Sequence, residues 1–146
     1  MEPVMSTTPV NHYRNVPEIF ATLQTVHGAI DEHGLDRMLH HLVQLRASQL
    51  NACAYCVKMH TREARDDGET NERLDRLAVW DHVSDFSPKE KAALAWTEAL
   101  TQLDRRTDYG TLRADLRAHF SDTEISALTA TVAMINLWNR IQVSTH

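Results

Sequence analysis

Along most of this chain apolar side chains return every third or fourth position, the period of an amphipathic helix. Four glycines and four prolines interrupt 146 residues, which leaves little of the punctuation a strand-and-turn protein needs. The expected fold class is all-α. Pro17 fits the first turn of a helix ending near His33, with Gly34 as its stop. Leu35 to Leu50 reads as a second helix, with Asp36 near its start and Met38, Leu39, Leu42, Leu45 and Leu50 among its apolar positions. Asn51 is the expected N-cap of a third helix reaching about Asp67 and ended by Gly68. Thr70 opens a short helix to about Trp80. Ser87-Pro88-Lys89-Glu90 joins a capping box to a proline at the first helical position, predicting a helix of about fifteen residues.

A shorter helix is expected over 109–119. Ser121-Asp122-Thr123-Glu124 repeats the capping signal and opens the last helix, which carries Ile125, Leu128, Val132, Ile135 and Trp138 along one side. With no repeat or linker in view, residues 17–146 are expected to form one bundle of about seven helices. A flexible arm is expected over 1–16.

Charge and composition narrow the partners. Fifteen basic residues against twenty acidic ones give a net charge of −5, which argues against a nucleic-acid surface. No apolar run approaches the ~18 residues of a membrane span, so no membrane partner is expected. The opening MEPVMSTTPVNHYRNVP lacks the basic start and apolar core of a secretory signal. A cytoplasmic, reducing location follows as the expectation, and there a close cysteine pair is redox-active or metal-binding before it is a staple. Neither a phosphate-cradling glycine loop nor a serine elbow is present, and no cofactor is expected.

Both cysteines lie in NACAYCVKMH, two residues apart and followed by a histidine. If Asn51 caps the helix, Cys53 and Cys56 differ by roughly 60° around its axis and His60 falls within about 20° of Cys53. Helical residues three apart have Cα atoms roughly 5 Å from each other, inside the disulfide range of about 4.4–6.8 Å. Free N–H groups at the helix start favour a thiolate at Cys53, while His60, one turn past Cys56, can take that thiol's proton. Inert burial is the ordinary fate of a lone cysteine, but a pair with an in-phase histidine is redox geometry. Zinc is the other candidate, on Cys53, Cys56 and His60 with a fourth ligand from His40 or His41. The absence of a second cysteine pair weakens that reading. Trp80, Trp96 and Trp138 read as core or interface, and residues 61–67 as a solvated, ion-paired helix face. The apolar last helix is a candidate subunit contact.

The stretch LVQLRASQLNACAYCVKMHTREARDDGE resembles the signature of the carboxymuconolactone decarboxylase-like superfamily, in its AhpD-like alkylhydroperoxidase branch. LAVWDHVSDFSPKEKAALAWTEALT and SDTEISALTATVAMINLWNRI are similar to later parts of that domain, so the likeness runs over roughly residues 17–141. It implies an AhpD-like helical bundle and a homo-oligomer, whether dimer, trimer or hexamer. It also implies reduction of a peroxide substrate, with electrons from a thiol reductant or small redox protein. By that likeness Cys56 is peroxidatic, Cys53 resolves it to a disulfide, and His60 belongs to a proton relay.

The helix-start argument favours Cys53 as the better thiolate, whereas the family assigns the attack to Cys56, beside His60. Two positions depart from the family pattern. His41 stands twelve residues before Cys53, where the family carries a glutamate that feeds the relay. An imidazole can accept a proton near neutral pH but supplies no fixed negative charge, so weakened or altered activity is expected. His40 is one residue off the helical face and does not fill the place. Ala52 replaces the usual glycine, a mild change on the sequence alone. Two alternatives stay open: a non-catalytic metal-binding or redox-sensing protein using the same cysteines, and a decarboxylase-type enzyme on the same fold, which would not use the dithiol.

Overall fold

The helix starts are set by side chains that accept the otherwise unpaired N–H groups of a first turn. In the computed structural model, which describes Met1 and residues 5–146, Asp36, Thr70, Asp108, Ser87 and Ser121 all do this. The last two complete reciprocal capping boxes with Glu90 and Glu124. Among the described residues the elements are α1 (His12–Asn15), α2 (Pro17–Asp31), α3 (Arg37–Leu50), α4 (Ala54–Asp66) and α5 (Asn71–Arg76). A 3-10 turn over Leu77–His82 follows, then α6 (Pro88–Gln102), α7 (Tyr109–Arg117) and α8 (Asp122–Val143). The all-α expectation holds, and the described residues contain no strand. The helix expected from Thr70 to Trp80 divides at Arg76, continuing as the tighter turn. Residues 2–4 of the expected arm lie outside the described residues. Nearer Pro17, Asn11 caps the single turn of α1, which packs Tyr13 against Phe20 at 4.4 Å between ring centres.

Helix α3 is buried nearly all round and is the centre of the bundle. One side, with Leu39 and Val43, packs on Ala93, Trp96, Leu116, Phe120, Leu128 and Val132 of α6, α7, α8 and the α7–α8 turn. Its other side, with Leu42 and Leu45, meets Ala64, Leu74, Leu77, Trp80, Phe86 and Leu94. Full burial of a leucine contributes about 1.5–3 kcal/mol, so these two layers fix the direction of α3. That direction matters because α3 carries His41 and leads straight into the cysteine turn.

A partly buried ion cluster locks the far side. Arg73 bridges Glu69, at 2.8 Å, and both oxygens of Glu90 at the start of α6, while its guanidinium lies 4.8 Å from the Phe86 ring centre. Arg46 of α3 and the Trp80 indole N–H both reach Glu98 at 2.8 Å. No described helix is long and apolar enough to cross a membrane.

Candidate active site

Asn51 ends α3 instead of starting α4, against the sequence expectation. Cys53 is the cap of α4, and its sulfur accepts the Cys56 N–H at 3.3 Å. The reason is the chain reversal at Ala52. This residue takes φ +53°, and the Cys53 N–H closes back on the Ser48 carbonyl at 3.1 Å. An alanine in the left-handed region costs roughly 1–2 kcal/mol that a glycine does not, so the replacement is less mild than the sequence suggested. The turn is held from below. The Asn51 side-chain amide donates at 2.9 Å to the carbonyl oxygens of Asn136 and Asn139, and Asn139 donates to Ser48 at 3.0 Å. A polar seam between α3 and α8 thereby fixes the loop that presents the cysteines.

Cys53 and Cys56 are joined as a disulfide, with Cα atoms 5.3 Å apart. Because Cys53 is extended at the cap, only Cys56 and His60 lie within the helix proper. Cys56 sits in the first turn of α4, so the helix-start field acts on both sulfurs. Both residues are buried, Cys53 at 0% and Cys56 at 2% exposure, and what separates them is the cavity. Cys56 and His60 line a cavity of about 290 Å³ with Tyr13, Met59, Trp138 and His27, and Cys53 does not reach it. The Trp138 indole donates to His27 Nε2 at 2.8 Å and stacks on that ring. Trp138 is thus a cavity wall in this chain. Tyr13, from the stretch before Pro17, is another.

His60 forms the back of this cavity and also faces a second one, of about 590 Å³, lined by Asp31, Arg37, His40, His41, Gln44 and Glu63 among others. Burial pushes the His60 pKa below its ordinary value, against an opposing pull from Glu63, so the ring is neutral at pH 7. Its Nδ1 lies 3.3 Å from Glu63 Oε2. A carboxylate only accepts, so the proton sits on Nδ1 and leaves Nε2 with the lone pair. His41 Nε2 meets Asp67 Oδ2 at 2.5 Å, and Asp67 in turn takes Arg37 Nε at 2.7 Å. The hydrogen bond from His41, helped by Arg37, holds the Asp67 carboxyl below its usual range. Asp67 can reach back to α3 because the chain breaks there, at Gly68 with φ +102°.

Of the sequence candidates, Cys53, Cys56 and His60 are brought together, and His41 lies behind His60. His40 lines the second cavity, its ring centre 6.4 Å from that of His41. Among the described residues no three His, Cys, Asp or Glu side chains converge as metal ligands, and the zinc set of the sequence reading does not assemble. Sequence reasoning missed Glu63 and Asp67, which it read as part of a solvated face. Their spacing, three and seven residues after His60, was the signal that could have found them.

Residues 17–99, which contain this cysteine turn, match the model of the carboxymuconolactone decarboxylase family. The chain belongs to that family. Within it the chain is of the AhpD-like branch, and its bundle has the AhpD-like fold. The Bacillus subtilis family relative YdfG, itself uncharacterized, is 32% identical over 135 residues, covering 92% of each chain. A crystal structure of an Agrobacterium tumefaciens protein of unknown function, provisionally the antioxidant defence protein AhpD, is 35% identical. It superposes with a TM-score of 0.87 over 95% of both chains. The debrominase Bmp8 shares the fold alone, at 16% identity and TM-score 0.79, over 90% of this chain and 70% of its own. The family fold therefore carries more than one chemistry.

Proposed function

We propose that the protein is a thiol-dependent peroxidase in which Cys56 attacks the peroxide, Cys53 resolves the product and His60 moves the proton. The observation that carries this reading is the shared cavity of Cys56 and His60, with Cys53 closed off but within bonding distance of Cys56. His60, neutral with a free Nε2, accepts the Cys56 thiol proton. The thiolate then bonds to one peroxide oxygen as the O–O bond breaks, and the departing alkoxide takes the proton from His60. Cys56 is left as a sulfenic acid.

The Cys56 N–H aimed at Cys53 favours a thiolate there. That thiolate attacks the sulfenic sulfur, forming the disulfide and expelling hydroxide, which leaves as water. Two electrons have passed from the thiols to the peroxide. A dithiol or two monothiols restore them by attacking Cys56, the sulfur that faces the cavity, with Cys53 leaving as the stabilised thiolate. Access to the cavity supports attack at Cys56, as in the family pattern, and the cap position supports resolution and departure at Cys53. By the family likeness we read the working unit as a homo-oligomer, and by the sequence expectation the setting as cytoplasmic.

Thiol titration tests the reading. One equivalent of an organic hydroperoxide added to the reduced, desalted protein is expected to remove two thiols per chain and yield one disulfide. Two thiols surviving excess hydroperoxide would contradict it.

A further inference from the structure

The geometry points to Glu63, faced by a His41 that Asp67 orients, as the positioning group that sets the basicity of His60 from the cavity opposite the substrate. This rests on the peroxidase reading for its consequence but not for its geometry. His41 Nε2 is committed to Asp67, a pure acceptor, so Nδ1 carries the lone pair in the neutral ring. That Nδ1 is buried without a hydrogen-bond partner and lies 4.0 Å from Glu63 Oε2. Two acceptors facing each other at this distance, too long for a direct hydrogen bond, call for a bridging water that donates to both. The same Glu63 oxygen receives His60 Nδ1 at 3.3 Å. Glu63 therefore stands between two imidazoles, and the cavity of about 590 Å³ that it lines gives water a way in.

The negative charge that His41 cannot supply reaches His60 from its own helix, one turn further on. When His60 takes the Cys56 proton, the imidazolium forms against this carboxylate, and the thiolate–imidazolium pair is favoured. The other charged or titratable groups facing the relay are Arg37 and His40 of α3, Asp31 and His27 of α2, and Asp67 after α4. Arg37 is engaged by Asp67 and its side chain is 80% exposed, against 44% for that of Glu63, which leaves Glu63 as the anion in contact with His60.

The test needs no peroxide. In a Cys53→Ser background Cys56 is the lone thiol, and its rate of alkylation by iodoacetamide against pH reports its titration. Glu63→Gln is expected to raise the midpoint by about one pH unit and slow alkylation about tenfold at pH 7. Glu63→Asp should recover part of both, and Asp67→Asn, which loosens His41 without touching His60, should shift the midpoint the same way by less. If Glu63→Gln fails to fold, as judged by circular dichroism, the Asp67→Asn shift carries the test. A midpoint unmoved in a folded variant overturns the proposal. If intact protein keeps its thiols in hydroperoxide while the Glu63→Gln shift appears, the peroxidase reading fails and the assignment of Glu63 stands.

Discussion

Cys56 lines the cavity walled by Tyr13, His27 and Trp138, and Cys53, to which it is bonded, is sealed beneath it with no exposed surface. Reactivity toward a small reagent should follow that difference. In the reduced protein, limiting iodoacetamide is expected to label Cys56 at least tenfold faster than Cys53, as read by mass mapping of the two sites. Equal labelling would mean that the cavity does not select the sulfur.

The alanine in the left-handed turn gives a stability prediction. Ala52→Gly relieves roughly 1–2 kcal/mol of backbone cost and returns part of it as unfolded-chain entropy, for a net gain of about 0.5–1 kcal/mol. Urea denaturation checks this by a higher midpoint at unchanged slope. A lower midpoint would place the balance on the other side.

Arg73 is held between Glu69 and Glu90, with Glu69 itself only 7% exposed. Arg73→Met leaves these carboxylates without their partner, and for a partly buried cluster the expected loss is about 1.5–3 kcal/mol, between that of an exposed pair and that of a fully buried one. A midpoint shift below about 1 kcal/mol would show that the cluster behaves as an exposed pair.

Burial lowers the pKa of both His60 and His40 from 6.5. The unfolded chain therefore takes up protons before the folded one as pH falls. Stability from these rings is complete above about pH 6.5 and declines below it, toward their folded values. Asp67, whose carboxyl is lowered, acts in a separate window and loses its contribution only as pH falls below 3.8. Denaturation midpoints should fall between pH 7.5 and 5.5 in the native chain and fall less in His60→Gln. Parallel curves for the two would remove His60 from the account.

Much of the fold was legible because its signals are local. Ser87 and Ser121 open helices through capping boxes, and Leu39, Val43, Leu128 and Val132 follow the helical period into one core layer. The cysteine turn was misread by two residues, since Asn51 has the chemistry of a cap but spends its side chain on Asn136 and Asn139, 85 and 88 positions away. Nothing local announces that partnership. Glu63 and Asp67 were hidden for a similar reason. A carboxylate on a charged helix face reads as solvated until α3 is laid against it. His41→Glu makes the point testable: it restores the family carboxylate but sets it beside Glu63, where two carboxylates disfavour each other's charged form. Peroxide turnover in that variant is expected to fall.

The central claim is that one sulfur attacks and the other resolves. Stopped-flow reaction of the reduced protein with an organic hydroperoxide, followed by mass measurement, separates the roles. Native protein should end as the disulfide, and Cys53→Ser should react at a comparable first-step rate and stop at a sulfenic acid, one oxygen heavier on Cys56. Cys56→Ser should be inert. A Cys56→Ser protein that still consumes hydroperoxide, with the added oxygen on Cys53, would contradict the account.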